Sequence, residues 1–161
     1  FLISSTKQLR WKESPDSKTG GYFTINTDGT KAAVGFAQGQ ACQLGEVTIT
    51  PQSRFAAIYV TAREKDGRVA TSRQLLVAAM ARARNTGMKF SLAGDELLEK
   101  GRGPILLEPV KAAINLSRPG AARVFVLDQE GRRTEQTIPA TNGEFTIDGT
   151  RDRTPYYLVE F

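Results

Sequence analysis

The sequence predicts an all-β protein, a two-sheet, mostly antiparallel β-sandwich of the jelly-roll or immunoglobulin-like kind. Three observations predict it. Turn formers recur roughly every eight to twelve residues. The segments between them alternate apolar and polar side chains with the period of a strand. The one stretch rich in helix formers, Ser72 to Phe90, is flanked by strand patterns on both sides, where a lone helix would interrupt the meander.

The elements follow in chain order. "QLRWK" alternates, with Leu9 and Trp11 on one face. "SPDSKTGG" is a loop of turn formers. "YFTINT" places Phe23 and Ile25 on one face, expected to be inward, and Tyr22, Thr24 and Asn26 on the other, expected to be outward. "DGT" turns the chain into the short apolar strand "AAVGFAQ", and "CQLGEVTIT" alternates around Leu44, Val47 and Ile49. "RFAAIYVTARE" is expected to be a central strand buried on both faces, followed by a short hairpin at "KDGR".

In "SRQLLVAAMARARNTGMKF" the strand reading puts Leu75, Val77, Ala79, Ala81 and Ala83 on one face. The helix reading makes an equally good stripe of Leu75, Leu76, Ala79, Met80 and Ala83. Periodicity does not choose, and context favours the strand. "GDELLEK" suits a short helical turn with Asp95 as its cap. "PILLEPV", interrupted by Pro109, suits an edge or a strand end. "VKAAINLS" aligns Val110, Ala112, Ile114 and Leu116 on one face, and "ARVFVLD", "RRTEQTIPA", "EFTID" and "PYYLVEF" complete roughly ten to twelve strands.

Composition narrows the function classes. The chain has 161 residues, enough for one domain with a real core and no disulfide or structural metal. It begins with Phe1, so residues 1–161 are expected to be a single domain excised from a longer multidomain protein. No apolar run approaches the ~18 residues of a membrane span, so no membrane partner is expected. Histidine is absent and Cys42 is the lone cysteine. The commonest general base, the usual partner of a nucleophilic Ser or Cys and the commonest zinc ligand are therefore missing. Net charge is +5, yet the basic residues are scattered among acids ("TAREKDGR", "DGTRDR") and not clustered with aromatics, which argues against nucleic acid.

The residues "LRWK", "GYFTINTDGTKAAVGF", "LGEVTI", "FAAIYVTA", "SRQLLVAAMARARNTGMKF", "GPILLEPVKAAINL", "VFVLDQEGRR" and "FTIDGTRDRTPYYLVEF" carry a resemblance. In their order they resemble the non-catalytic β-sandwich region that follows the catalytic barrel in bacterial glycoside hydrolase-like proteins. The resemblance covers most of the chain and rests on turn and core patterns. It implies that the alanine-rich stretch is a strand. It also implies a non-catalytic region attached to a polysaccharide-active enzyme, which places the chain outside the cell or in the periplasm. It assigns no binding residue.

The leading expectation is thus a carbohydrate-binding accessory module, with a polysaccharide or oligosaccharide and a neighbouring catalytic domain of the same chain as partners. Sugars stack on exposed rings flanked by hydrogen-bonding side chains. Tyr22 and Tyr156 are the candidate rings, because alternation turns both outward. Trp11 is held in reserve, since sharing a face with Leu9 suggests a core role. The alternative is a purely structural sandwich that supports its neighbour through an apolar docking patch. An enzyme is not expected: Glu46, Glu64, Asp66, Asp95, Glu96, Glu99, Glu108, Asp128, Asp148 and Asp152 sit in turn and hairpin contexts. "NTDGT" and "DGTRDRT" offer oxygen ligands but not the spacing of a calcium loop. No cofactor and no metal are assigned.

Overall fold

Seventeen strand segments and one four-residue helix make up the regular structure of the computed structural model, which describes residues 1–15 and 20–161. The chain is all-β and every strand pair is antiparallel. The segments outnumber the ten to twelve expected, because several are only two to four residues long. Part of the loop expected at 14–21 lies outside the described residues.

The larger sheet has nine strands. In spatial order they are β1 (Leu2–Ile3), β2 (Leu9–Lys12), β3 (Tyr22–Asn26), β4 (Thr30–Gly35), β7 (Ala56–Ala62), β8 (Gln74–Met80), β17 (Tyr156–Glu160), β14 (Arg123–Leu127) and β15 (Arg133–Ile138). The smaller has four: β16 (Glu144–Asp148), β13 (Lys111–Leu116), β6 (Val47–Pro51) and β5 (Cys42–Leu44). One face of each contributes to a single hydrophobic core. Ile58, Val60, Leu75, Val77, Tyr157 and Val159 come from the large sheet, and Val47, Ile49, Ala112, Ile114, Phe145 and Ile147 from the small one. Each Val, Leu, Ile or Phe among them, once buried, stabilises the fold by ~1.5–3 kcal/mol.

The ambiguous stretch resolves as strand. Leu75, Val77 and Ala79 of β8 face the core as alternation requires. Residues 81–109 then leave the body as an arm. Its base pairs β9 (Ala83–Thr86) with β12 (Arg102–Leu107), and its tip pairs β10 (Lys89–Phe90) with β11 (Leu97–Glu99). None of its residues is buried. Pro109 ends the arm, so "PILLEPV" does lie at an edge. The helical turn expected near Asp95 is instead a hydrogen-bonded turn closed by Ser91 Oγ on Asp95 Oδ1 at 2.8 Å. The one helix among the described residues, α1 (Gly149–Asp152), sits elsewhere, capped by Asp148. The connection at "KDGR" is also longer than a tight hairpin: β7 ends at Ala62 and β8 begins at Gln74. Glu64 stitches this loop by accepting the backbone N–H of Arg73 at 2.8 Å.

Two side-chain assignments are corrected. Trp11 is 54% exposed; it shares a face with Leu9, but that face looks away from the core. Tyr22 and Thr24 point inward: Thr24 is buried and Tyr22 packs against the core edge. The reason is the size of the sheets. Strands β1 and β2 extend past the small sheet and β3 is covered only along its margin, by β5, so their inward side chains border an open groove, where polar residues are stable. Their apolar residues take the opposite face. Strand β7 is central as expected, but only Ala56, Ile58 and Val60 are fully covered, on one face.

Behind Tyr157 a polar network closes the core. Asp152 carboxylate oxygens accept from Arg151 Nε at 2.6 Å, the Asp148 backbone N–H at 3.0 Å, Tyr157 OH at 3.1 Å and Gln136 Nε2 at 3.2 Å. Burial, and next the Asp152 charge, push the Tyr157 hydroxyl far above its ordinary pKa.

Candidate functional site

The outward face of the nine-stranded sheet is apolar almost from edge to edge. Register sets its rows. Leu2 lies opposite Trp11, Trp11 opposite Phe23, Phe23 opposite Val34, Val34 opposite Ala57 and Ala57 opposite Met80. The next row runs Leu9, Ile25, Ala32, Tyr59, Ala78 and Tyr156. A third ends in Leu76, Leu158 and Phe125. Phe125, Leu127 and Leu158 form their own small cluster, and Arg133 lays its guanidinium 3.3 Å from the Phe125 ring centroid. Toward β1 the face stays open, with Leu2 and Trp11 more than half exposed.

A polar rim borders this face. Glu160 accepts from Gln74 Nε2 at 2.9 Å and Arg133 Nη1 at 3.2 Å, with Arg123 Nη2 at 3.7 Å. Arg63 Nη1 in turn donates to Gln74 Oε1 at 3.1 Å. An apolar centre with a polar margin is the anatomy of a protein interface.

The arm continues the same surface. Ile105, Leu106 and Leu107 are each more than half exposed, as are Leu97 and Leu98 at the tip. Where the arm leaves the sheet, Ile105, Leu106 and Leu107 meet Met80, Tyr156 and Arg153 around an open cleft of about 460 Å³. Arg82 and Glu108 clasp the arm's base at 2.8 Å, and that hydrogen bond holds the Glu108 carboxyl below its ordinary pKa.

A second concavity, about 650 Å³, lies on the other face, under the overhang of β1 to β3. Tyr22, Phe1, Arg10, Lys7, Asn26 and Gln43 line it, with Cys42 at its inner end. The Phe1 and Tyr22 rings meet edge to face at 6.0 Å. Burial, and next the nearby Cys42, raise the Tyr22 hydroxyl's pKa, while burial raises that of the Cys42 thiol. Cys42 is therefore held as a thiol and not as the nucleophilic thiolate.

The three sequence-predicted rings are not brought together. Tyr22 lines the groove under the overhang, Tyr156 the cleft at the arm, and Trp11 the open end of the outward face. Sequence reasoning missed Ile105, Leu106, Leu107, Phe23 and Met80. The signal was present: "ILL" puts apolar side chains on both faces of one strand, which a half-buried edge does not need.

Most of the carboxylates weighed from the sequence are engaged structurally. Asp28 pairs with Arg68, Glu46 with Lys31, Lys89 with Glu99, and Asp128 Oδ1 accepts the Arg132 N–H. In both turns weighed for calcium, the acids Asp28, Asp148 and Asp152 already bind arginine, backbone or tyrosine. Where a carboxylate pKa is displaced, at Asp28, Glu64, Asp95 and Glu108, it is lowered, first of all by a side-chain hydrogen bond. No helix among the described residues is long and apolar enough to cross a membrane.

No protein-family model, curated protein or solved structure matches the chain.

Proposed function

We propose that this chain is a non-catalytic accessory domain, a β-sandwich that packs on and supports a neighbouring domain of the same polypeptide. One observation carries the reading: the outward row from Leu2 and Trp11 through Phe23, Val34 and Ala57 to Met80 is at least partly exposed along its length, and it leads into the cleft and the apolar arm with no described residue buried over it. Exposed apolar patches of such extent mark interaction surfaces. The core shared by the two sheets supports the sandwich description.

The occupant is a different folded domain and not a second copy. A two-fold pairing of this face would bring together two chains that each carry a net charge of +5, with arginines outnumbering carboxylates along the rim: Arg63, Arg82, Arg123 and Arg133 against Glu108 and Glu160. Like charges across an interface cost several kcal/mol. The rim instead suits a partner whose margin is acidic. From the resemblance, that neighbour is the catalytic domain of a polysaccharide-active protein, and the location is extracellular or periplasmic. Carboxylates held below their ordinary pKa and a buried thiol support a non-catalytic role, since a proton donor near neutral pH needs its pKa raised.

The test uses the whole polypeptide that the gene encodes. Leu106→Asp combined with Trp11→Asp places charge on the surface without touching the core. Calorimetry should then show this domain melting separately from its neighbour, where the wild type melts as one unit. Independent melting in the wild type, or a gene that encodes this domain alone, would overturn the proposal.

A further inference from the structure

We infer that the groove under the overhang of β1 to β3 binds an acidic glycan, through sugar carboxylates on Arg10 and Lys7 and ring packing on the wall made by Phe1 and Tyr22. The inference is independent of the docking surface, which lies on the opposite face of the sheet.

The groove exists because the large sheet outreaches the small one. Strands β2 and β3 form its floor, and Ala41 to Leu44 form the opposing side. Its volume falls within the range of small-ligand sites. The lining combines three kinds of group. The paired Phe1 and Tyr22 rings give an aromatic wall to a lining of mixed polarity. Asn26 directs its Oδ1 to Lys31 Nζ at 2.7 Å, its Nδ2 having no partner among the described residues, and Gln43 adds an exposed amide. Arg10 and Lys7 supply two cations with no ion-pair partner among the described residues; Arg10 rests its guanidinium 5.9 Å from the Phe1 ring centroid. Lys12 adds a third nearby, 5.6 Å from the Tyr22 ring centroid.

No carboxylate among the described residues lines the groove. That selects against a neutral glycan as the best ligand. Neutral-sugar sites need acceptors for hydroxyl donors, and carboxylates are the strongest of these. Here the charged groups are all donors, and Arg presents the planar fork that pairs with a carboxylate. Rings, amides and unpaired cations together match a uronate-containing chain. A plain polyanion would need only the cations.

The probes are polygalacturonate and alginate, with laminarin as a neutral control and polyglutamate as an anion without sugar rings. Native affinity electrophoresis of the 161-residue chain reads retention in each. The expected result is retention by at least one uronate polymer, little by laminarin and polyglutamate, and an effect that fades with salt as screening predicts. Arg10→Ala and Lys7→Ala should each weaken retention, the pair by about tenfold or more, with the melting temperature unchanged because both side chains are exposed. Tyr22→Ala should abolish retention if it folds. Should it unfold, the Arg10 and Lys7 variants decide alone. Lack of retention by both uronate polymers, equal retention by polyglutamate, or retention indifferent to the Arg10 and Lys7 changes would each overturn the inference.

Discussion

Excising the arm tests how the fold divides its labour. Residues 84–106 are replaced by Asn-Gly, the dipeptide suited to a two-residue hairpin turn. The cut falls where the strands already pair: Ala83 lies opposite Leu107, and the Glu108 N–H donates to the Arg82 carbonyl at 2.8 Å. Two effects oppose each other. Shortening the connection by three to four doublings favours folding by ~2 kcal/mol, at ~0.6 kcal/mol per doubling. Removing Ile105 and Leu106 from the cleft beside Tyr156 costs ~1–2 kcal/mol, because each is already more than half exposed. The net change is within ~2 kcal/mol of zero, and the melting temperature should move by no more than about 8 °C for a chain of this size. Thermal denaturation followed by circular dichroism reads this directly. A variant that fails to fold, or melts more than about 10 °C lower, would show that the arm belongs to the core.

Other expectations are simpler to state. Ile114→Ala, in the shared core, should cost ~2–5 kcal/mol, whereas Trp11→Ala should cost under ~1 kcal/mol, mostly its cross-strand packing with Phe23 and Leu2; urea titration of the two variants separates them, and equal losses would contradict the face assignment. Asp152→Asn should cost ~1–3 kcal/mol, because the new amide turns a donor toward the Asp148 N–H or the Tyr157 hydroxyl and leaves a buried group unsatisfied; a wild-type denaturation midpoint would refute the network's importance. The Arg82–Glu108 clasp has a pH signature. Glu108 has a folded pKa below its ordinary 4.5, so its contribution is present above that value and is lost as pH falls through the lowered one. The effect is small at an exposed pair; the protection factor of the Glu108 amide, its exchange rate divided into the intrinsic rate at each pH, should fall in that acidic window, and the fall should be absent in Arg82→Gln.

Most of the all-β class was legible from turn spacing and alternation. The shared face of Val110, Ala112, Ile114 and Leu116 was legible because β13 is central in the small sheet and obeys a clean inside–outside rule. The strand assignment of 72–80 needed context, since leucine and alanine fit either period. What alternation could not supply was which face is inward. At Tyr22 and Trp11 the usual polarity inverts, because the sheet overhangs its partner on one side and presents an uncovered apolar face on the other. Both are tertiary facts. The arm was legible only as an excess: apolar residues on both faces of "PILL" have no use within a domain that already has a core. Of the three expected rings, Tyr156 was placed on the correct face, Tyr22 lines a groove for a reason other than the one alternation suggested, and Trp11 is exposed where a core role was expected.

The central claim, that the arm and the outward sheet face are covered by a neighbouring domain, is tested most directly by hydrogen–deuterium exchange. The 161-residue chain alone is compared with the full polypeptide the gene encodes. Amides of residues 83–107 and of the β1 and β2 edge should exchange quickly in the isolated chain and become protected in the full polypeptide, while the four-stranded sheet stays unchanged. Identical exchange across the arm in both samples would contradict the account.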